Sequence, residues 1–493
     1  MRNLLLLLLV CCFGKAKAQQ DHYIRYDLST SCMVSDETIA PLWLTSNKYG
    51  INSIAQKQAL LHTGVFYHRE MKHQMELNAG LDLVGGKNLV SKFWVHQAYA
   101  DLSWRMLNLS IGSKERGGFP LEKNELLTSG WMVEGMNARP VPQVRIEMKD
   151  FWEIPFLHHW LAMKGHVAFG KFIDGKWQED FVAPEQQYVK DVLYHTKSIM
   201  FRLGNKRKFP AEFEFGILMA TQFGGARYKK NADGTSTQTT KMPNGLKAYW
   251  KAFLPQAGGE DNPTEGERTN IEGNVLGSWN FALNTYLGNW KIRATYEHYF
   301  EDHSQMFWEY GRWNDGNLGI EITPPKNRWI SGVLCEIMST KNQSGPFEFY
   351  DRETNECLFS GGDNYYNHGI YQAWQYYGAA MGTPLLPGPA YNQDGSLQFK
   401  SNRVHAHHWG IMGNPTDEIS WRLMTSFVRH WGTYGTPLDK ERKQFSGMAE
   451  LTYSPKWGKR WNCAATLAMD RGNYLGNSMG GMITIRKTGV FNL

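Results

Sequence analysis

The chain has 493 residues, 14% of them aromatic, and a formal net charge of +6. That near balance of charge argues against a dedicated nucleic-acid binder. Beyond the first twenty residues, no stretch is apolar for the ~18 positions a transmembrane helix needs.

Met1 to Gln20 reads MRNLLLLLLVCCFGKAKAQQ. Arg2 supplies the charged start and Leu4 to Phe13 the apolar core. Ala16-Lys17-Ala18 supplies a small-residue cleavage site, so residues 1–18 are expected to be a secretory signal peptide. A lipoprotein signal ending at Cys11 or Cys12 fits less well, because Val10 is a poor residue before the modified cysteine. Without residues 1–18 the chain carries 50 basic and 47 acidic side chains. Its mean hydropathy of −0.48 suits a soluble protein. It suits a membrane barrel too, in which only alternate residues face lipid.

Alternation then recurs along the chain. Met75, Leu77, Ala79, Leu81 and Leu83 interleave with Glu76, Asn78, Gly80 and Asp82, before Gly85-Gly86 turns the chain. Trp94, Ala98, Ala100, Leu102 and Trp104 share a face, and Leu107, Leu109 and Ile111 follow a tight turn. Leu161 to Phe169, Ile199 to Leu203 and Trp279 to Leu283 repeat the pattern. The clearest case is Trp290 to Glu301, WKIRATYEHYFE. One face carries Lys291, Arg293, Thr295, Glu297, Tyr299 and Glu301. The other carries Trp290, Ile292, Ala294, Tyr296, His298 and Phe300. A period of 2 over about a dozen residues means an extended strand, long enough for the ~9–11 residues a tilted strand needs to cross a bilayer. Ile419 to Trp431, Trp461 to Met469 and the closing GMITIRKTGVFNL continue the series, with Ile483, Ile485, Phe491 and Leu493 on one face. Connections alternate between short turns and long Gly-, Asn- and Pro-rich loops, as in outer-membrane barrels. At roughly 25 residues per strand and connection, the expectation is an all-β fold: one large antiparallel transmembrane barrel of about 18 strands.

Several segments resemble the Wzi family of capsule-assembly outer-membrane proteins, in the form seen in Bacteroides-type bacteria. They are PLWLTSNKYG (41–50), LTSGWMVEGMNARPVPQVRI (127–146), LYHTKSIMFRLG (193–204), ATQFGG (220–225), YYNHGIYQAWQYYGAAMGTPLL (365–386) and SNRVHAHHWGIMG (401–413). Their order is stronger evidence than any one of them. The resemblance implies an outer-membrane β-barrel that binds capsular polysaccharide and holds it at the cell surface, a lectin-like role without turnover. It also implies a multi-pass barrel in outer-membrane lipid, which we expect to be a monomer without a cofactor. Enteric members carry a helical periplasmic bundle before the barrel. Here residues 19–55 show no sustained 3.6 period, so a short plug-like segment is expected there, followed by the barrel from 56 to 493. A porin or solute channel is the alternative function.

Candidate chemistry is spread over several motifs. Asn47-Lys48-Tyr49-Gly50 reads as a turn, Gly50 taking a positive φ, or as part of a plug with Asn47 bonded to charges on the wall. Asn137 and Arg139 precede Pro140 and Pro142, which cannot donate to a central ladder, so this piece is a bend or an edge. Arg139 is expected to pair with a luminal carboxylate, or to contact a uronic-acid sugar. Aromatics beside polar loop residues suit sugar stacking, and equally an interfacial girdle. They include Trp177, Trp250, Trp308 and Trp313 with Arg312 and Asp315, and Tyr365 with Tyr366. His405, His407 and His408 include no Cys or carboxylate to complete a metal site, so no metal is expected. Scattered acids such as Glu179, Asp180, Asp302, Asp351 and Glu353 do not by themselves make a glycosidase pair. No nucleophile motif is present, and no enzyme is expected. Cys335 and Cys357 are possible disulfide partners, with free thiols equally compatible.

Overall fold

A computed structural model describes residues 22–493 except 158, 207, 255–272, 302, 307–314, 346–348, 351–352, 354–356, 360–362 and 459. Eighteen strands form one closed antiparallel barrel. The first six are β1 (His22–Ile39), β2 (Ala55–Met71), β3 (Met75–Lys87), β4 (Phe93–Trp104), β5 (Leu107–Ser113) and β6 (Gln143–Met148). Next come β7 (Leu161–Lys171), β8 (Leu193–Leu203), β9 (Ala211–Phe223), β10 (Asn274–Leu287), β11 (Trp290–Phe300) and β12 (Gly316–Thr323). The last are β13 (Gly332–Ser339), β14 (Val404–Gly413), β15 (Ile419–Gly432), β16 (Pro437–Tyr453), β17 (Trp461–Gly472) and β18 (Ser478–Asn492). Each strand pairs with its sequence neighbours, and β1 closes the ring against both β2 and β18. Closure leaves no open edge, which a wall in lipid requires, since hydrocarbon offers backbone groups no partner.

The side-chain alternation expected from the sequence sets the two faces of the wall. Leu467 on β17 is 69% exposed on the outer face, and its neighbour Thr466 is 2% exposed on the inner one. Leu81 and Asp82 on β3 divide in the same way. In β11, Arg293, Thr295 and Glu297 are buried in the interior. Exposed rings gather where the short turns lie: Trp104, Trp160, Trp290, Trp329, Trp457 and Trp461. Such a belt is what an interface between lipid and water selects. Both ends of the ring, His22 and Asn492, lie on this side as well, joined through Leu493 N–H to the His22 carbonyl at 2.8 Å.

One expectation needs correction. Residues 22–39 of the anticipated plug are wall: His22–Ile39 is a full barrel strand. Between its outward Leu28 and Val34 stand Thr30 and Cys32, which are small or only mildly apolar and weaken the alternation. Only residues 40–54 turn inward, and they enter from the long-loop end as the β1–β2 connection. Cys335, for which a disulfide to Cys357 and a free thiol are both open in the sequence, lies in strand β13 opposite Trp409 and carries a free thiol.

Three long-loop-side segments fill the interior: 40–54, 114–142 and the described part of 340–403. Leu44, Leu127, Met132, Trp374 and Leu386 from these segments form one apolar core with wall residues Met33, Leu218, Leu334, Met424 and Met482. Polar wall groups hold the segments by their backbone. Glu336 accepts from Thr128 Oγ1 at 2.8 Å and Ser129 N–H at 2.7 Å. Asp470 accepts from Leu42 N–H at 3.0 Å, and His408 Nε2 meets the Leu127 carbonyl at 2.6 Å. Lys123 reaches from the 114–142 segment to Glu297 on the wall. Buried backbone groups need such partners, so the inward wall charges act as anchors for the filling.

Candidate functional site

The filling leaves a cavity of about 190 Å³ at the long-loop end. The 40–54, 114–142 and 376–391 segments meet there with α1 (Gly175–Phe181), the helix in the β7–β8 connection. The turn at Asn47–Gly50 is built as its residue types imply. Asn47, Tyr49 and Gly50 all have positive φ, 52°, 51° and 61°. A Cβ on Gly50 would lie 3.0 Å from both Cγ and N of Arg139, so the turn abuts that side chain. Asn47 contacts the filling rather than wall charges. Its N–H donates to Asn137 Oδ1 at 3.2 Å and its Nδ2 to the Thr128 carbonyl at 3.1 Å. Asn137 Nδ2 in turn donates to the Ala380 carbonyl at 2.9 Å, joining three segments through two amides.

Arg139 lines this cavity and is 6% exposed. Its guanidinium packs between two rings, with centroids 4.0 Å away at Trp94 and 4.1 Å away at Tyr377. Nη1 donates to Ser91 Oγ at 3.3 Å. Nε and Nη2, which together form one edge of the plane, have no partner among the described residues. The expected luminal carboxylate is missing: among the described residues, no acidic oxygen lies within salt-bridge distance of Arg139. Asp174, whose charge reaches Arg139, is committed elsewhere. It accepts from Gln178 Nε2 at 3.1 Å, Gln375 Nε2 at 3.1 Å and the Tyr377 N–H at 3.2 Å, fixing the loop that carries Tyr377. Burial pushes Arg139 down to about 10, with Tyr377 and Asp174 opposing the shift, so the guanidinium stays charged at neutral pH. Trp177 stacks on Phe181, centroids 4.9 Å apart, and the pair lines the cavity with Tyr376 and Tyr391.

A second site lies beside it. Trp94 Nε1 donates to His96 Nδ1 at 3.2 Å, and His96 Nε2 meets Glu115 Oε1 at 2.8 Å. His62 Nε2 lies 2.6 Å from Asp82 Oδ1. Ligand atoms of Asp82, His96 and Glu115 come within 4.8 Å of one another. The Trp94 hydrogen bond assigns the His96 proton to Nε2, facing Glu115. As arranged, this group is a hydrogen-bonded His–carboxylate network rather than a ligand set presenting lone pairs to a metal. His405 and His407 pack ring to ring at 4.9 Å, and His408 is taken up by Ser426 Oγ at 2.7 Å and Leu127.

The loop aromatics fall differently from expectation. Tyr365 and Tyr366 are fully buried in the filling and present no surface to a polysaccharide. Tyr365 donates to Gln305 Oε1 and Tyr366 to the Met132 carbonyl. Asp315 is buried too, accepting from Ser339 Oγ at 3.2 Å and from the N–H groups of Asn342 and Gln343. It caps a loop rather than meeting a sugar. Trp308, Arg312 and Trp313 lie outside the described residues. Sequence reasoning singled out Arg139, Gly50, Asn137 and Trp177 but missed Trp94, His62, His96 and Glu115. Trp94 alternates with the wall residues and reads as part of the apolar face, with no local signal that it turns toward Arg139.

A larger cavity of about 370 Å³ lies along β3 to β7, nearer the short turns. Here cations meet acids: Arg145 with Glu147, Lys114 with Asp101, Lys164 with Glu122 at 2.8 Å and Lys149 with Glu76 at 2.7 Å. Arg116 is held by Ser110 Oγ at 2.8 Å and the Lys114 carbonyl at 3.2 Å.

No family model matches the sequence, and no curated protein does either. Among solved structures, the chain is similar to Wzi of Escherichia coli, described as an outer-membrane protein involved in group 1 capsule assembly and a carbohydrate-binding β-barrel. The TM-score is 0.57 at 11% identity, covering 94% of this chain and 83% of that one. Pseudomonas aeruginosa OccK3 matches at 0.49 and 9% identity over 96% of each chain. OccD1 matches at 0.47 and 7% identity over 97% of each. At such identities the likeness to Wzi is one of fold: a closed outer-membrane type of barrel.

Proposed function

We propose that this chain is a non-enzymatic, monomeric outer-membrane protein that binds capsular polysaccharide at its long-loop end and keeps it on the cell. On this reading it is a Bacteroides-type counterpart of Wzi, exported behind a signal peptide cleaved after residue 18. The observation that carries it is the filled interior. Three loop-side segments pack into one apolar core with the wall, and the cavity left at their surface end is lined by aromatic rings and a cation. A barrel built to pass solute has no use for a close-packed apolar filling, whereas a binding platform needs a rigid one. The Wzi structure supports the same direction, because that protein is a carbohydrate-binding barrel of similar fold.

The test is a deletion strain in which cell-bound and shed capsule are measured separately. Loss of bound polysaccharide with a rise in the shed fraction is expected, and unchanged retention overturns the reading. The polar cavity along β3 to β7 favours the alternative, a solute channel. Planar-bilayer recording addresses it: the filled barrel should give no steady conductance, and stable single-channel steps would favour the channel.

A further inference from the structure

We infer that the Arg139 cavity is a subsite for a carboxylated sugar ring, a uronic-acid residue of the polysaccharide; this rests on the polysaccharide-binding reading. The Arg139 guanidinium is a plane with two faces and a rim of N–H donors. Trp94 and Tyr377 cover its faces, and Ser91 takes Nη1. What remains is the Nε–Nη2 edge, buried and without a partner among the described residues. That edge carries two parallel N–H groups, the geometry that takes a carboxylate bidentately. A buried cation lacking an acid is costly unless something supplies the acid.

The surroundings narrow the ligand further. The cavity is about 190 Å³, small beside the roughly 300–1,000 Å³ of a drug-sized pocket. It therefore takes one ring rather than a chain segment. Trp177, Phe181 and Tyr391 are half-buried on its lining. Their flat apolar faces suit the C–H face of a pyranose. The half-buried lining at the long-loop end leaves a mouth toward the surface, where a polymer would pass. A simple anion would use the guanidinium alone; a uronic acid uses the guanidinium and the rings together.

The test uses the full mature chain in detergent, with tryptophan fluorescence and calorimetry as readouts. The probes are a hyaluronan tetrasaccharide, a trigalacturonate, and both after reduction of their carboxyl groups to alcohols. At least one acidic oligosaccharide should bind about tenfold or more tightly than its reduced form. Arg139→Gln should erase that difference, and Arg139→Lys should restore only part of it, because a point charge replaces the fork. Trp177→Ala should weaken acidic and reduced forms alike. Acetate at equal concentration should not compete. Equal binding of acidic and reduced forms, no binding of either acid, or full competition by acetate each overturns the subsite. Heat-modifiability on gels checks that every variant is folded. In cells, R139Q with intact retention beside a deletion that loses it removes the subsite and leaves the retention reading standing. An unchanged deletion strain removes the retention reading itself.

Discussion

Two arginines six residues apart face two cavities in the same barrel, and their surroundings are opposite. Arg145 lies in the larger, polar cavity and is bound to Glu147, whose other partner is Asn108 at 3.0 Å. Arg139 lies in the smaller, aromatic cavity, with rings on its faces and one edge unpaired. Both side chains are nearly fully buried. Burial alone therefore does not mark a functional cation. The difference is whether the protein supplies the counter-charge. Where it does, the charge is part of the wall's own framework; where it does not, the site is left complementary to something outside the chain.

The largest expected effect tests the frame both cavities share. Each depends on the wall register that sends alternate side chains inward. Leu467 sits mid-strand on the outer face of β17, so Leu467→Arg at the bilayer midplane should cost about 2–4 kcal/mol. Urea unfolding from bilayers measures it, with Thr466→Asn on the inner face as the tolerant control. Equal losses at both positions would show that the faces are misassigned.

Next comes Arg145→Ala. Removing one partner of a buried pair leaves the other charge uncompensated, at about 3–5 kcal/mol in a dry interior. Glu147 faces a cavity and remains partly exposed, so about 2–3 kcal/mol is expected. Acidic-sugar binding should survive in the folded fraction. A stable R145A protein that no longer binds would reverse the roles of the two cavities.

How much of this was readable beforehand follows from the same physics. Wall strands announce themselves because lipid on one side and polar filling on the other force a period of 2; the register of Leu81 and Asp82 was legible for that reason. Strand β1 was not, because Thr30 and Cys32 on its outer face blur the contrast. Loops that fold inward use the same Gly, Asn and Tyr residues as loops that meet water. Tyr365 and Tyr366 therefore read as surface residues while lying in the core. The apolar density of LTSGWMV (127–133) was the available sign that a long connection turns inward. Arg139 was visible as a cation between prolines and glycines, but its lack of a carboxylate depends on tertiary neighbours that no local pattern encodes.

Gly50→Ala should have an intermediate effect. Its φ of 61° costs a side chain about 1–2 kcal/mol, and the new Cβ would press on Arg139 at 3.0 Å. We expect a stability loss of about 1–2 kcal/mol by urea unfolding and several-fold weaker binding of the acidic oligosaccharide, because the guanidinium must shift. Lost stability with unchanged binding would mean that the Asn47–Gly50 turn does not position Arg139.

The smallest stability effect is expected at Arg139 itself, and it is the sharpest point of the comparison. Arg139→Gln removes contacts with two rings, each about 0.5–2 kcal/mol, and one hydrogen bond to Ser91 at a net of about 0.5–1.5 kcal/mol. Against this, it removes a guanidinium held out of water without an acid, and it orphans no carboxylate in return. The terms oppose one another, so the net change should stay within about 1 kcal/mol. It should also be nearly flat with pH between 5 and 8: Arg139 is charged throughout that range, and Asp174, the acid that feels its charge, is held mainly by its own hydrogen bonds. Urea unfolding of R139Q and R145A side by side decides the matter. If R139Q loses as much as R145A, the Arg139 guanidinium is a structural element like its neighbour, and the contrast between the two cavities disappears.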